Sequence, residues 1–96
     1  MANTEKDQMD STGLLVLLAK HAGSYILDDF TSHEIILKDA SGADMKIYES
    51  DGREISSRFP YALVEGLIGK KLVAPDQGNG RMYRLTKLGR RAVPPS

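Results

Sequence analysis

The spacing of apolar positions changes along this chain, and each change marks an element. In STGLLVLLAKHAG (residues 11–23), Leu14, Leu15, Leu17, Leu18 and Ala22 recur at helical spacing. Ser11 or Thr12 stands before them as an N-cap and Gly23 after them as a stop, predicting a buried first helix of about three turns. SYILDDF and HEIILKD are short runs of β-branched and aromatic residues, and ADMKIYES alternates, with Met45 and Ile47 opposed to Lys46 and Tyr48. All three read as strands. DASG (39–42) is turn chemistry that joins the last two into a hairpin, and Asp51-Gly52 is a second turn that closes it. In SSRFPYALVEGLIGKKLVAPD, Phe59, Leu63 and Leu67 return every fourth residue, predicting a helix over 58–71. Ser57 is its expected cap, Pro60 suits its first turn, Ala62 and Gly66 turn towards the core, and Gly69 helps to end it. A strand at 72–74, a loop on Gly78-Asn79-Gly80 and a strand at 81–85 then predict a hairpin, with Met82 and Leu85 facing the core. Thr86 caps a last short helix, KLGRRAV.

Length and composition narrow the class. A chain of 96 residues, 41% hydrophobic and 27% charged, is expected to form one soluble domain over 11–93, with polar tails at 1–10 and 94–96. The absence of cysteine excludes a disulfide framework, a thiolate nucleophile and a zinc knuckle. The longest apolar run, 14–19, is too short to span a bilayer, and the acidic, polar start does not resemble a signal peptide. A cytoplasmic protein with no membrane partner is expected.

Charge changes the picture more. The formal net charge is zero, but residues 1–64 carry six Lys/Arg and eleven Asp/Glu, whereas residues 65–96 carry seven Lys/Arg against Glu65 and Asp76. A partner senses the local patch within a Debye length of about 8–10 Å, not the total. The basic half therefore supplies a candidate nucleic-acid surface: Lys70, Lys71, Asn79, Arg81, Arg84, Arg90 and Arg91, joined by Arg58 and Tyr61 from the preceding helix. Arg90 and Arg91 also suit the C-terminal end of a helix dipole. Glu65 on the same helix repels phosphate, and the helix offers few base-reading side chains.

Catalytic patterns are weak. His21 and His33 are separated by twelve positions without a helical pairing, and the carboxylates of Asp28, Asp29, Glu34, Asp39 and Asp44 are scattered over strand ends and turns. Gly78-Asn79-Gly80 leads into a strand, so it reads as a hairpin tip and not as a phosphate cradle. No enzyme, no metal site and no cofactor are expected.

Residues 67–93, LIGKKLVAPDQGNGRMYRLTKLGRRAV, resemble the winged-helix ending in which a helix and a basic residue precede a hairpin that finishes in Tyr-x-Leu-Thr-x-x-Gly, here Tyr83, Leu85, Thr86 and Gly89. LLVLLAKHAG, DASG, YESDG, ALVEGLIGKKLV and YRLTKLG, over about 14–93, also resemble in order the small bacterial YjhX-like family, described as toxin-like and winged-helix-like; the chain departs from it around 28–33. The resemblance implies an α+β, winged-helix-like fold: helix, strands, helix, wing hairpin, short C-terminal helix. Where helix-turn-helix domains carry a second, orienting helix, residues 25–49 read as strands.

The expected function is that of a winged-helix transcriptional regulator, a homodimer on double-stranded DNA, contacting it through the 58–71 helix and the 78–85 wing. The alternative is a protein-interaction module, an inhibitor, toxin-like factor or phage or plasmid accessory protein, using the acidic half with Tyr25, Phe30 and Tyr48 exposed. Tyr61, Lys70, Arg81 and Arg84 on one face would favour DNA; Tyr48 and Tyr61 in one patch away from the wing would favour protein.

Overall fold

The first helix, α1 (Ser11–Lys20), starts one residue earlier than its serine suggests. Asp10 is the N-cap, its carboxylate accepting a hydrogen bond from the Gly13 backbone N–H at 2.9 Å. Leu14, Leu15 and Leu18 are buried and Leu17 packs beside them, whereas Ala22 lies beyond the helix and is exposed. Gly23, at φ +80°, turns the chain into the sheet.

The computed structural model describes residues 10–29, 31–49 and 51–93. The tails expected at 1–10 and 94–96 lie outside these residues except for Asp10, as does Phe30. After α1 come β1 (Tyr25–Asp29), β2 (Glu34–Lys38), β3 (Ile47–Tyr48), β4 (Glu54–Ile55), β5 (Arg58–Pro60), α2 (Tyr61–Gly69), β6 (Val73–Asp76), β7 (Asn79–Leu85) and α3 (Lys87–Ala92). Five strands form an antiparallel sheet in the order β5-β2-β1-β7-β6, while β3 and β4 make a separate ribbon turned by Asp51-Gly52. Helices and antiparallel sheet together make an α+β fold.

Strand pairing follows from burial. Ile35, Ile36 and Leu37 form a continuous buried run, which suits a strand with neighbours on both sides better than a hairpin arm. Accordingly β2 lies between β1 and β5, and the expected hairpin with 43–50 is reduced to a single bridge, Lys38 to Asp44. The chain leaves the sheet at Lys38, forms the ribbon, buries Met45 and Ile47 in the core, and returns where the Ser57 carbonyl accepts from the Leu37 N–H at 2.9 Å.

Register then sorts the faces. Ile26 pairs with Leu37 and with Tyr83, Ile35 with Phe59, and Val73 with Leu85. These residues face the helices and join Leu14, Leu18, Val64 and Leu67 in one core cluster. The alternate residues, Leu27, Ile36 and Met82, are cross-strand neighbours on the opposite face. Met82 therefore points away from the core, and Tyr83 takes the inward place expected for it.

The predicted helix over 58–71 is corrected at both ends. Phe59 precedes proline, which disfavours the helical region, and Arg58–Pro60 pairs with β2 as an edge strand. Phe59 enters the core by strand alternation between exposed Arg58 and Pro60. Pro60, extended at φ −61° and ψ 143°, is the N-cap of α2, and Ser57 is a buried strand neighbour and not a cap. With α2 phased from Tyr61, Val64 and Leu67 turn inward; Ala62 and Gly66 are exposed, and a Cβ added at Gly66 meets nothing within 4 Å.

Candidate nucleic-acid interface

Five of the nine sequence-predicted residues, Arg58, Tyr61, Asn79, Arg81 and Arg84, are engaged in contacts within the fold. Arg58 lies on β5, where its Nη1 donates to Asp29 Oδ2 at 2.9 Å and Glu34 Oε1 at 3.3 Å. Those bonds raise the guanidinium's affinity for its proton, and Arg58 with Thr31 and Ser32 holds the Asp29 carboxyl well below the usual carboxylate range. Arg84 donates from Nε to Asp76 at 3.0 Å and from Nη1 to the Gly23 carbonyl at 3.3 Å, with its guanidinium 5.1 Å from the Tyr25 ring centroid. Tyr61 is half-buried at the start of α2 beside Tyr83; burial, then the charge and hydrogen bond of Tyr83, push its hydroxyl pKa up.

Asn79 and Arg81 are likewise engaged. The Asn79 side-chain oxygen accepts from the Arg81 backbone N–H at 2.9 Å, and Arg81 donates to the Asp28 carbonyl at 3.1 Å. Alternation along β7 sends Arg81 to the helix-bearing face with Tyr83 and Arg84 to the opposite face with Met82. The two wing arginines thus do not share a face, nor do Tyr61, Lys70, Arg81 and Arg84 as a set. The hairpin is not a free wing, because β7 is hydrogen-bonded to β1 as well as to β6.

Lys70, Lys71, Arg90 and Arg91 stand differently. They are exposed, and among the described residues none of them forms an ion pair. Lys70 is the C-cap of α2, and Lys71 follows at φ +62°. The Lys71 N–H donates to the Ile68 carbonyl at 3.0 Å and the Leu72 N–H to the Leu67 carbonyl at 2.9 Å, which is a Schellman motif. Lysine fills the left-handed position that glycine ordinarily takes, and Gly69 does not make the stop expected of it.

This turn is tied to α3. The Thr86 N–H donates to the Leu72 carbonyl at 3.0 Å, and its hydroxyl lies 2.8 Å from the Lys71 carbonyl and 3.0 Å from that of Leu72. The same hydroxyl accepts from the Gly89 N–H at 2.9 Å as the expected N-cap. Gly89 is buried so closely that an added Cβ would overlap the Leu72 carbonyl and lie 2.7 Å from Leu85 Cδ1. Lys70 and Lys71 are thereby set beside the start of α3, a helix that carries Lys87 at its first position and Arg90 and Arg91 in its last turn. Lys87, counted in the basic half but not among the candidate contacts, joins them because the Thr86 cap and the helical spacing from buried Gly89 place it on the outward side.

Elsewhere, Glu49 is buried under the Arg53 guanidinium across the ribbon turn, and Lys38 pairs with Asp44 at 2.6 Å. Tyr48, on β3, is 58% exposed. Among the described residues no helix is long and apolar enough to cross a membrane. Comparison with protein-family profiles, curated proteins and solved structures finds no match to this chain.

Proposed function

We propose that the protein binds double-stranded DNA through phosphate contacts made by the α2 C-terminal turn and α3, as a winged-helix-like transcriptional regulator. The observation that carries this reading is the group of five exposed cations, Lys70, Lys71, Lys87, Arg90 and Arg91, on two elements joined by Thr86, with no ion pair among the described residues. Surface cations with acidic neighbours are neutralised locally; Lys87, Arg90 and Arg91 lie in a run, 77 to 93, that carries no acidic residue. Lysine at a left-handed position is a further support, since a non-glycine residue there costs about 1 kcal/mol and serves function more readily than stability. The order α2, β6, β7, α3 matches the winged-helix ending that 67–93 resembles, with α3 and the helix turn replacing the hairpin tip as the contact surface.

The test is binding of a generic duplex across a salt series. Each neutralised phosphate contributes about −0.9 to the log–log slope, so Lys70→Ala with Arg91→Ala should flatten it by up to about 2 units. Lys71→Gly should flatten it by about 1 unit while keeping the fold, because glycine accepts the left-handed conformation. Arg84→Ala should leave the slope unchanged, since its charge is already matched by Asp76. Absence of binding at low salt rejects the reading and turns attention to a protein partner, for which exposed Tyr48 in the acidic half is the supporting observation.

A further inference from the structure

The outermost ridge of α3 carries a large apolar side chain among cations. Leu88 is 50% exposed, while Gly89 is buried and Val93 packs against the core. With successive residues about 100° apart around the axis, that inward face puts Lys87, Leu88 and Arg91 together on the opposite side, with Arg90 flanking them. We propose that α3 seats Leu88 against base edges in the major groove of duplex DNA, with Lys87 and Arg91 on the phosphates along one wall of the groove. This rests on the nucleic-acid reading above and adds to it an apolar contact within the groove.

Charge selects the occupant. A leucine on one ridge with Lys87 and Arg91, with Arg90 on the face beyond Lys87 and Lys70 and Lys71 on the adjoining turn, is complementary to a polyanion and repels a basic partner. A major groove about 12 Å wide admits a helix, and six residues at about 1.5 Å each make a short probe about 9 Å long. Thymine methyl groups on the groove floor offer leucine apolar surface. An anionic membrane would call for a broad apolar helix face, and α3 presents one leucine. The contact of Gly89 with Leu72 and the Thr86 cap hold the ridge in place.

The experiment compares the full chain with Leu88→Ala on a generic duplex across the salt series, and on phosphatidylcholine vesicles with and without phosphatidylserine. Unfolding of both proteins by urea confirms that truncating a half-exposed side chain leaves the fold intact. The expected result is duplex binding about tenfold weaker at every salt concentration with an unchanged slope, because an apolar contact releases no counterions. Wild-type affinity for the duplex in Leu88→Ala overturns the proposal, as does a Leu88-dependent loss confined to phosphatidylserine vesicles. Duplex binding with a cation-dependent slope but no Leu88 dependence rejects this inference alone; no duplex binding by the wild-type chain rejects the underlying reading with it.

Discussion

Gly89 shows how a single missing side chain sets the position of a surface. An added methyl group would overlap the Leu72 carbonyl and the Leu85 side chain, and neither the backbone of the turn nor the helix that Thr86 caps can retreat without breaking hydrogen bonds. Gly89→Ala should therefore destabilise the protein by about 1–3 kcal/mol, the usual range for overpacking, although alanine favours a helix intrinsically. Urea unfolding measures it, and a stability equal to or above wild type would refute the close approach. The glycine was legible as the last position of Tyr-x-Leu-Thr-x-x-Gly; its contact with Leu72, seventeen positions earlier, was not, because only the fold brings them together.

At the scale of elements, β5 is fastened across β2 to β1 by charge. Arg58 reaches Asp29 and Glu34 from an edge strand of three residues, too short to be held by its ladder alone. The lowered pKa of Asp29 fixes the sign of the pH dependence. Its contribution is complete above the ordinary carboxylate value of about 3.9 and is lost as pH falls from there towards the folded-state value. Arg58→Gln should thus be less stable than wild type at about pH 7, with the gap closing as pH is lowered through about 4 and below. Paired urea titrations over that range check it; a gap independent of pH would show that Arg58 acts by packing alone. The four-residue period of Phe59, Leu63 and Leu67 predicts one helix and with it a groove contact for Arg58. Strand alternation buries Phe59 and helical phase buries Leu67, so two different elements produced a single four-residue spacing.

Across the whole molecule, the described residues share one core. Helices α1 and α2, the inward face of the sheet and the ribbon residues Met45 and Ile47 all contribute to it. Phe59 is among its largest fully buried side chains, and Phe59→Ala should cost about 3–5 kcal/mol, much of the stability of a small domain. The loss should appear as a single transition shifted to lower denaturant by both fluorescence and circular dichroism. Separate transitions for sheet and helices would mean that the core is divided.

Local chemistry settled what depends on a few adjacent residues: the helix at Leu14 to Leu18, the strands at Ile26 and Ile35, the Asp51-Gly52 turn and the Thr86 cap. Each is decided by backbone preference and near-neighbour hydrogen bonding, which a sequence displays directly. The charge asymmetry of the two halves was visible for the same reason. Which cations the fold consumes was not. Register on β7 sends Arg81 and Arg84 to opposite faces and gives Arg84 to Asp76, while Thr86 joins Lys70 and Lys71 to α3 and leaves the cations there unpaired among the described residues. Those outcomes depend on long-range pairing, where a shift of one residue reverses every side chain of a strand, and only the tertiary structure decides that register.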